Sequence, residues 1–162
     1  MEIGVPKEIE NQEYRVGLLP ESVRELTQRG HRVFVEAGAG SGAGFADAHY
    51  TQAGAVILDS PEAVFEAAEL IVKVKEPQSR ERALLTPRDT LFTYLHLAPD
   101  RAQTDALLAS QACCIAYETV TDNNNCLLHP SPTPPHLPSS PLPSSACQPT
   151  QHPSAHHPQP PY

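Results

Sequence analysis

The chain has 162 residues, enough for one domain of ordinary size, and its 19 acidic and 11 basic residues give a net charge of −8. This acidic balance repels phosphate backbones, and no cluster of Lys and Arg is dense enough to form a nucleic-acid surface. No stretch approaches the apolar length of a membrane span, and the start lacks a basic segment followed by an apolar run. We therefore expect a cytoplasmic protein with neither nucleic acid nor membrane as a partner.

The composition changes sharply near Asp122. All charged residues lie in 1–122, whereas 123–162 contains 12 of the 18 prolines and 5 of the 8 histidines and has no glycine. We interpret 1–122 as the folded domain and 123–162 as a disordered Pro/His/Ser-rich tail. Natural tails are usually charged, so this composition is typical of a GC-rich gene translated out of frame.

Predicted strands and helices alternate along the first 122 residues. The first helix has proline in its first turn and glycine just past its end. This alternation predicts a doubly wound, Rossmann-like α/β domain, in which helices cover both faces of a parallel sheet. In chain order the predicted elements are strand Glu2–Val5, helix Pro20–Arg29, strand His31–Glu36, helix Asp47–Ala53, strand Ala55–Leu58, a helix opened by Ser60-Pro61-Glu62, strand Leu70–Val74, helix Ser79–Leu84, strand Thr90–Leu95, helix Asp100–Ser110 and strand Ala112–Tyr117.

Three polar residues stand at the ends of predicted strands, where ligands bind in such sheets. Lys75, His96 and Glu118 are therefore expected to converge on one rim. Lys75 is suited to an anionic substrate, although a solvated strand end explains it equally well. His96 lies in an apolar setting in which imidazole can exchange a proton near neutral pH, and a core histidine with a backbone partner is the competing interpretation.

Two further features precede these strand ends. Arg15 follows the first strand, where a guanidinium can clamp a carboxylate through two hydrogen bonds, or can simply be a surface arginine. The loop Gly38–Gly44 contains GxGxxA after a strand, with Asp59 about 20 residues further on. A dinucleotide fingerprint needs a long helix that starts on the glycines, and the predicted helix Asp47–Ala53 is short and starts late. We therefore interpret the loop as structural.

The cysteines and histidines form no recognisable metal site. Cys113 and Cys114 lie in an apolar run and are most simply small core residues. Cys126 and Cys147 lie in the tail, and the spacing of the four fits neither a disulfide framework nor a zinc site. The five tail histidines are irregularly spaced, so we expect no native metal.

Several segments together carry a recognisable pattern. They resemble the alanine dehydrogenase family, without a break from Met1 to about Asp122. The opening and the glycine loop are shared with the related proton-translocating transhydrogenase subunit, whereas Tyr-Leu-His-Leu-Ala and Tyr-Glu-Thr-Val indicate the dehydrogenase. The matching segments are Met1–Glu8, Tyr14-Arg15-Val16, Glu36–Gly40, Lys73–Pro77, Thr93–Ala98 and Tyr117–Val120.

The resemblance implies a reaction and a role for each of three residues. L-alanine, NAD and water would give pyruvate, ammonia and NADH, with Arg15 and Lys75 binding the carboxylate and carbonyl oxygens of the substrate and His96 acting as catalytic acid/base. In that family a second Rossmann domain, later in the chain, holds NAD and supplies an aspartate partner to the histidine. The assembled enzyme is typically a hexamer.

The family pattern stops at Asn123, so we expect no cofactor-binding residue in this chain and no dehydrogenase activity from it alone. Homo-oligomer formation, a family property, is in doubt for such a fragment. Two alternatives stay open. One is a fragment of the transhydrogenase alpha subunit. The other is a non-catalytic protein whose segment Ser131–Pro135 docks on aromatic grooves, although the lack of flanking Arg or Lys argues against most such ligands.

Overall fold

The structure is a computed structural model that describes residues 1–123, so the predicted tail lies outside the described residues from 124 onward. Six parallel strands form one sheet in the order β3-β2-β1-β4-β5-β6. The predicted parallel α/β architecture is therefore confirmed. The strands are β1 (Glu2–Val5), β2 (Arg32–Glu36), β3 (Val56–Leu58), β4 (Leu70–Val72), β5 (Thr90–Thr93) and β6 (Cys113–Ala116).

Two of the described helices begin at side-chain N-caps. Ser60 Oγ accepts a hydrogen bond from Ala63 N at 3.3 Å, and Asp100 Oδ1 accepts one from Gln103 N at 2.8 Å. Each cap satisfies an amide that a helix start leaves without an internal partner. The helices are α1 (Pro20–Gln28), α2 (Asp47–Gln52), α3 (Pro61–Ala67), α4 (Ser79–Arg82) and α5 (Arg101–Ser110), with 3-10 turns at Ser41–Ala43 and Tyr117–Thr119.

Both faces of the sheet carry a hydrophobic core, as β2 shows. Val33 and Val35 belong to a cluster that includes residues of α1 and α2. Phe34, between them, belongs to a second cluster with residues of α3 and α5. Successive side chains of a strand point to opposite faces, so a strand that is apolar throughout requires a cover on each side. This arrangement is the doubly wound architecture.

The strand order reverses between β1 and β4, which places the ligand crevice of this fold at their carboxyl ends. Residues 6–19 connect β1 to α1 and lie across that crevice. At Gly17 an added Cβ would stand 2.4 Å from the carbonyl oxygen of Val72, so only glycine allows this close approach. The connection is therefore packed directly against the end of β4.

Two strands end earlier than the hydrophobic pattern predicts. β4 ends at Val72 instead of at position 74, and β5 ends at Thr93 instead of at position 95. The neighbouring strands end at about the same level: the β1–β4 register stops at Gly4 and Ile71, and Ala116, the last residue of β6, pairs with Thr93.

The chain continues past the end of the sheet after both β4 and β5. There the two segments still pair with each other: Lys73 N donates a hydrogen bond to Phe92 O, and Tyr94 N donates one to Val74 O. Among the described residues, each segment lacks a strand on its other side.

Candidate functional site

Arg15 lies in the connection after β1 and is paired with a carboxylate. Its Nε donates to Glu13 Oε1 at 2.8 Å and its Nη2 donates to Glu13 Oε2 at 2.6 Å, a two-pronged contact. The hydrogen bond from Arg15 is the largest influence that lowers the pKa of Glu13, to about 2. The structure thus places a carboxylate on the guanidinium for which sequence reasoning predicts a substrate carboxylate.

A cleft of about 260 Å³ adjoins Arg15 on the side of the glycine loop. Gly42 of that loop approaches Tyr14 so closely that an added Cβ would lie 2.8 Å from the tyrosine carbonyl oxygen. The loop is therefore one wall of the cleft. The lining residues are Lys7, Glu8, Glu13, Tyr14, Arg15, Gly38, Ala39, Ser41 and Gly42.

The described residues do not fit a dinucleotide. The glycines form only the 3-10 turn Ser41–Ala43, and α2 begins later, at Asp47, whose carboxylate already accepts a hydrogen bond from Gly38 N at 2.8 Å. The crevice between β1 and β4 is filled by the connection after β1, which brings the buried Glu8 into it. A pyrophosphate needs free amides at the start of a long helix, and carboxylates repel it.

Lys75 lies just beyond the end of β4. Its carbonyl oxygen accepts a hydrogen bond from Thr93 Oγ1 at 2.7 Å, which ties it to β5. Its ammonium lies 3.8 Å from Glu10 Oε2, and 28% of its side chain is exposed. The side chain is thus accessible at the rim, next to a carboxylate from the connection after β1.

The sequence reasoning missed a buried charged cluster made of Glu8, Lys73 and Glu81. Lys73 Nζ lies 2.7 Å from Glu81 Oε1 and 3.2 Å from Glu8 Oε2, and all three side chains are almost fully buried. Three charged groups survive burial only when they are paired and hydrogen-bonded. The signal in the sequence is the position of Lys73 between the apolar residues Val72 and Val74.

His96 has an unusual backbone and two side-chain neighbours. Its φ of 44° lies in the left-handed region, which a residue with a Cβ seldom adopts. The imidazole is stacked parallel to Tyr94, with ring centroids 5.6 Å apart, and Nδ1 lies 3.4 Å from Glu76 Oε2. A third of the side chain is exposed. The ring is therefore held on one side and open on the other.

Glu118 stands on the 3-10 turn that follows β6, and its carboxylate reaches the segment after β5. Glu118 Oε1 accepts hydrogen bonds from His96 N at 2.8 Å and from Leu95 N at 3.1 Å. The predicted convergence of the three strand ends is thus present in the geometry. Lys75 is joined to β5, His96 follows β5, and Glu118 holds the His96 backbone.

Tyr94 connects this group to Arg15. Burial raises the pKa of Tyr94, while the nearby positive charge of Arg15 opposes that shift. Tyr94 packs edge-on against Tyr117, whose pKa burial raises to about 12. Arg15 and His96 therefore lie beside the same buried tyrosine at the carboxyl edge of the sheet. Lys75 is close enough for its charge to act on Glu13, the carboxylate that Arg15 holds.

The cysteine prediction is half right. Cys114 is half-buried against the second core cluster, and burial raises its pKa. Cys113 is exposed, so its assignment to the core was wrong. The reason is the position of β6 at the edge of the sheet, where one face lacks a cover among residues 1–123.

Neither a metal cluster nor a membrane helix stands out in the described part. Among residues 1–123, His, Cys, Asp and Glu nowhere gather in a group of three that could hold a metal ion. Every helix within this range is too short or too polar to cross a bilayer.

Comparison with known proteins gives a consistent family. Residues 4–130 match the family described as "Alanine dehydrogenase/PNT, N-terminal domain". Alanine dehydrogenase of Halomonas elongata is 56% identical over 121 residues, covering 75% of this chain and 33% of that protein. Alanine dehydrogenase of Mycolicibacterium smegmatis is 51% identical over 120 residues, covering 74% of this chain and 32% of the relative. This chain thus spans about a third of the length of these relatives.

Solved structures agree. An L-alanine dehydrogenase superposes with a TM-score of 0.76 at 54% identity and covers 78% of this chain and 35% of the other. A transhydrogenase from Sinorhizobium meliloti gives a TM-score of 0.68 at 28% identity, covering 73% of this chain and 35% of the other. These matches confirm the resemblance that the sequence motifs indicated. The chain belongs to the alanine dehydrogenase/PNT family, and residues 4–130 match the N-terminal domain of that family.

Proposed function

We propose that this domain binds the substrate of an NAD-dependent alanine dehydrogenase, which converts L-alanine, NAD and water to pyruvate, ammonia and NADH. The observation that carries the proposal is the position of Arg15 and His96 beside Tyr94, with Lys75 close enough for its charge to act on Glu13, the partner of Arg15. Two cations and an imidazole suit a small anion that gains or loses a proton during reaction. We further propose a cytoplasmic, homo-oligomeric parent enzyme.

Each residue has a role that its geometry permits. Arg15 binds the substrate carboxylate with its planar donors, and Lys75 donates to the carbonyl oxygen. His96 exchanges a proton with the substrate as acid/base. If Nδ1 donates to Glu76 Oε2 across 3.4 Å, Nε2 is the nitrogen left to face the substrate.

In this proposal NAD is bound by other residues of the parent enzyme. Two observations among residues 1–123 support this: the crevice is filled, and the glycine loop starts no long helix. The transhydrogenase alternative would also use a nicotinamide cofactor, and exchange between two such cofactors without alanine would favour it. The higher identity to alanine dehydrogenases supports the first reading.

The first test measures pyruvate binding to the 162-residue chain by calorimetry at pH 7. Arg15→Ala should weaken binding by about tenfold or more, because it removes a charge-assisted, two-pronged contact. Glu13→Gln should tighten binding by up to about fivefold, since Glu13 competes for an exposed guanidinium and such an ion pair is worth about 0.2–1 kcal/mol.

Matched controls exist for both variants. Arg24→Ala removes an exposed arginine of α1, and Glu25→Gln breaks the surface pair with Arg29, which has the same 2.6 Å separation as the Glu13–Arg15 pair. Neither should change the affinity for pyruvate. Equal affinities for the wild type and Arg15→Ala would contradict the assigned role of Arg15.

A further inference from the structure

Two of the residues proposed for substrate chemistry, Lys75 and His96, lie where the chain continues past the ends of β4 and β5. β1 pairs with β4 only as far as Gly4 and Ile71, so the chain at Val74 and Lys75 has no strand beside it on the β1 side. β6 ends at Ala116, so the chain at His96 also lies beyond its partner. Amides in such segments lose their ladder acceptors, and a buried amide without an acceptor is costly.

Glu8 takes the place of the missing strand beside β4. Glu8 Oε1 accepts a hydrogen bond from Val74 N at 2.7 Å, and Oε2 accepts a longer one from Lys75 N at 3.4 Å. The side chain is 2% exposed, and Lys73 Nζ, 3.2 Å from Oε2, supplies a counter-charge. The carboxylate is thus fixed from one side and holds the backbone on the other.

Glu118 does the same beside β5. One of its oxygens accepts from both Leu95 N and His96 N, at 3.1 and 2.8 Å. His96 has a φ of 44°, a conformation that costs free energy in a residue with a Cβ and persists only where its surroundings enforce it. The two hydrogen bonds supply that enforcement, and this backbone directs the imidazole onto Tyr94.

We propose that Glu8 and Glu118 are positioning residues, each replacing a missing strand partner and so fixing Lys75 and His96 respectively. The roles of Lys75 and His96 rest on the proposed function. The two glutamates come from different elements, the connection after β1 and the turn after β6, and each serves its own segment. This separation makes each glutamate the control for the other.

The test uses Glu8→Ala, Glu8→Gln, Glu118→Ala and Glu118→Gln in the 162-residue chain. Hydrogen exchange of backbone amides is followed by NMR, with circular dichroism as a check of folding. Alanine at position 118 should speed exchange at Leu95 and His96 by about tenfold or more, and leave Val74 unchanged. Alanine at position 8 should speed exchange at Val74 and leave Leu95 and His96 unchanged. Glutamine keeps an acceptor oxygen and should partly restore protection.

Unchanged exchange at the amides each glutamate holds, or an equal rise at both segments, would overturn the proposal. Glu8→Ala removes a buried partner of Lys73, which can prevent folding. In that case the two variants at the less buried Glu118 test the proposal by themselves. Glutamine without any rescue would show that a hydrogen-bond acceptor is insufficient, and would also contradict it.

Pyruvate affinity separates a positioning role from a merely structural one. Both alanine variants should bind pyruvate more weakly, with glutamine intermediate, while Glu21→Gln, an exposed position of α1, should match the wild type. Wild-type affinity in folded Glu8→Ala and Glu118→Ala would overturn the positioning role. If the wild-type chain itself binds no pyruvate, the proposed function fails, and the exchange pattern still decides whether the glutamates fix these segments.

Discussion

Glu8 is a single carboxyl group that couples folding to pH. Burial raises its pKa above the usual value of 4.5, and this effect exceeds the opposing attraction of Lys73 and the hydrogen bond from Val74. Glu81 shares the same lysine and adds to the rise. Two carboxylates around one ammonium leave an excess negative charge in a buried place, and a proton relieves it.

The sign of the pH dependence follows from the raised pKa. The folded chain holds the Glu8 proton more tightly than the unfolded chain, so this stabilisation is complete below pH 4.5 and is lost as pH rises through the folded value. Glu8→Gln lacks it. The unfolding free energy of the wild type minus that of Glu8→Gln should therefore be larger near pH 4.5 than at pH 7. Urea denaturation at the two pH values measures this difference. A difference that stays constant or grows with pH would contradict the raised pKa.

At the scale of elements, the connection after β1 is as important as any strand or helix. It carries Glu8, Glu13 and Arg15 and is pressed against the end of β4 at Gly17. It thereby fills the crevice where related α/β folds hold a dinucleotide, and in the proposed function it becomes part of the edge that binds a small molecule. The contact at Gly17 is what keeps it there.

Gly17→Ala tests this contact. Its Cβ would meet backbone atoms of Val72 and Lys73, which cannot turn away as a side chain can, so we expect destabilisation of about 1–3 kcal/mol. Gly44→Ala is the comparison, because Gly44 has a φ of 85° but open space around it, and only the conformational cost of about 1 kcal/mol applies. Thermal unfolding should rank Gly17→Ala as the less stable variant. The reverse order would show that the connection moves readily.

At the level of the whole molecule, in the proposed function the described residues bind the substrate and other residues of the parent enzyme bind the nicotinamide cofactor. The purified 162-residue chain should therefore produce no NADH from L-alanine and NAD. A chimera that joins residues 1–122 to the remaining sequence of the Halomonas elongata alanine dehydrogenase should do so. In that chimera His96→Ala should keep NAD affinity and lose most turnover, by a factor of about 10² to 10⁴ for a general acid/base.

Each arm of this experiment has a result that would refute it. Alanine-dependent NADH from the chain alone would show that it binds the cofactor after all. Unchanged turnover of the His96→Ala chimera would refute the acid/base role. The tail interpretation, an out-of-frame or partner-binding segment, falls on residues outside the described part and stays a prediction.

The order and type of the elements were predictable because they depend on local patterns. The apolar run Arg32–Glu36 follows the helix stop at Gly30, and Ser60 and Asp100 cap the helices they precede. Strand ends were less predictable. Val74 and Leu95 continue apolar runs, yet β4 and β5 stop before them, because pairing depends on where a neighbouring strand ends.

The candidate site also has a part that could be predicted from the sequence and a part that could not. The residue types at strand ends, Lys75, His96 and Glu118, are readable from a sequence, since parallel strands deliver their carboxyl ends to one edge. The bonds of Glu8 to residues 66 and 67 positions away, and of Glu118 to His96 22 positions away, are not. The residues next to a glutamate in the sequence do not indicate which distant backbone amide its carboxylate will accept a hydrogen bond from.

The parallel α/β fold, the family resemblance and the three candidate residues could be predicted without coordinates, because short-range periodicity, capping and motif spacing are local properties of the chain. Three features required the folded structure: Lys73 is buried between two glutamates, Glu13 occupies the Arg15 guanidinium, and His96 adopts a left-handed backbone. These features depend on burial and on groups distant in sequence. Desolvation and long-range pairing arise only when the sheet brings those groups together.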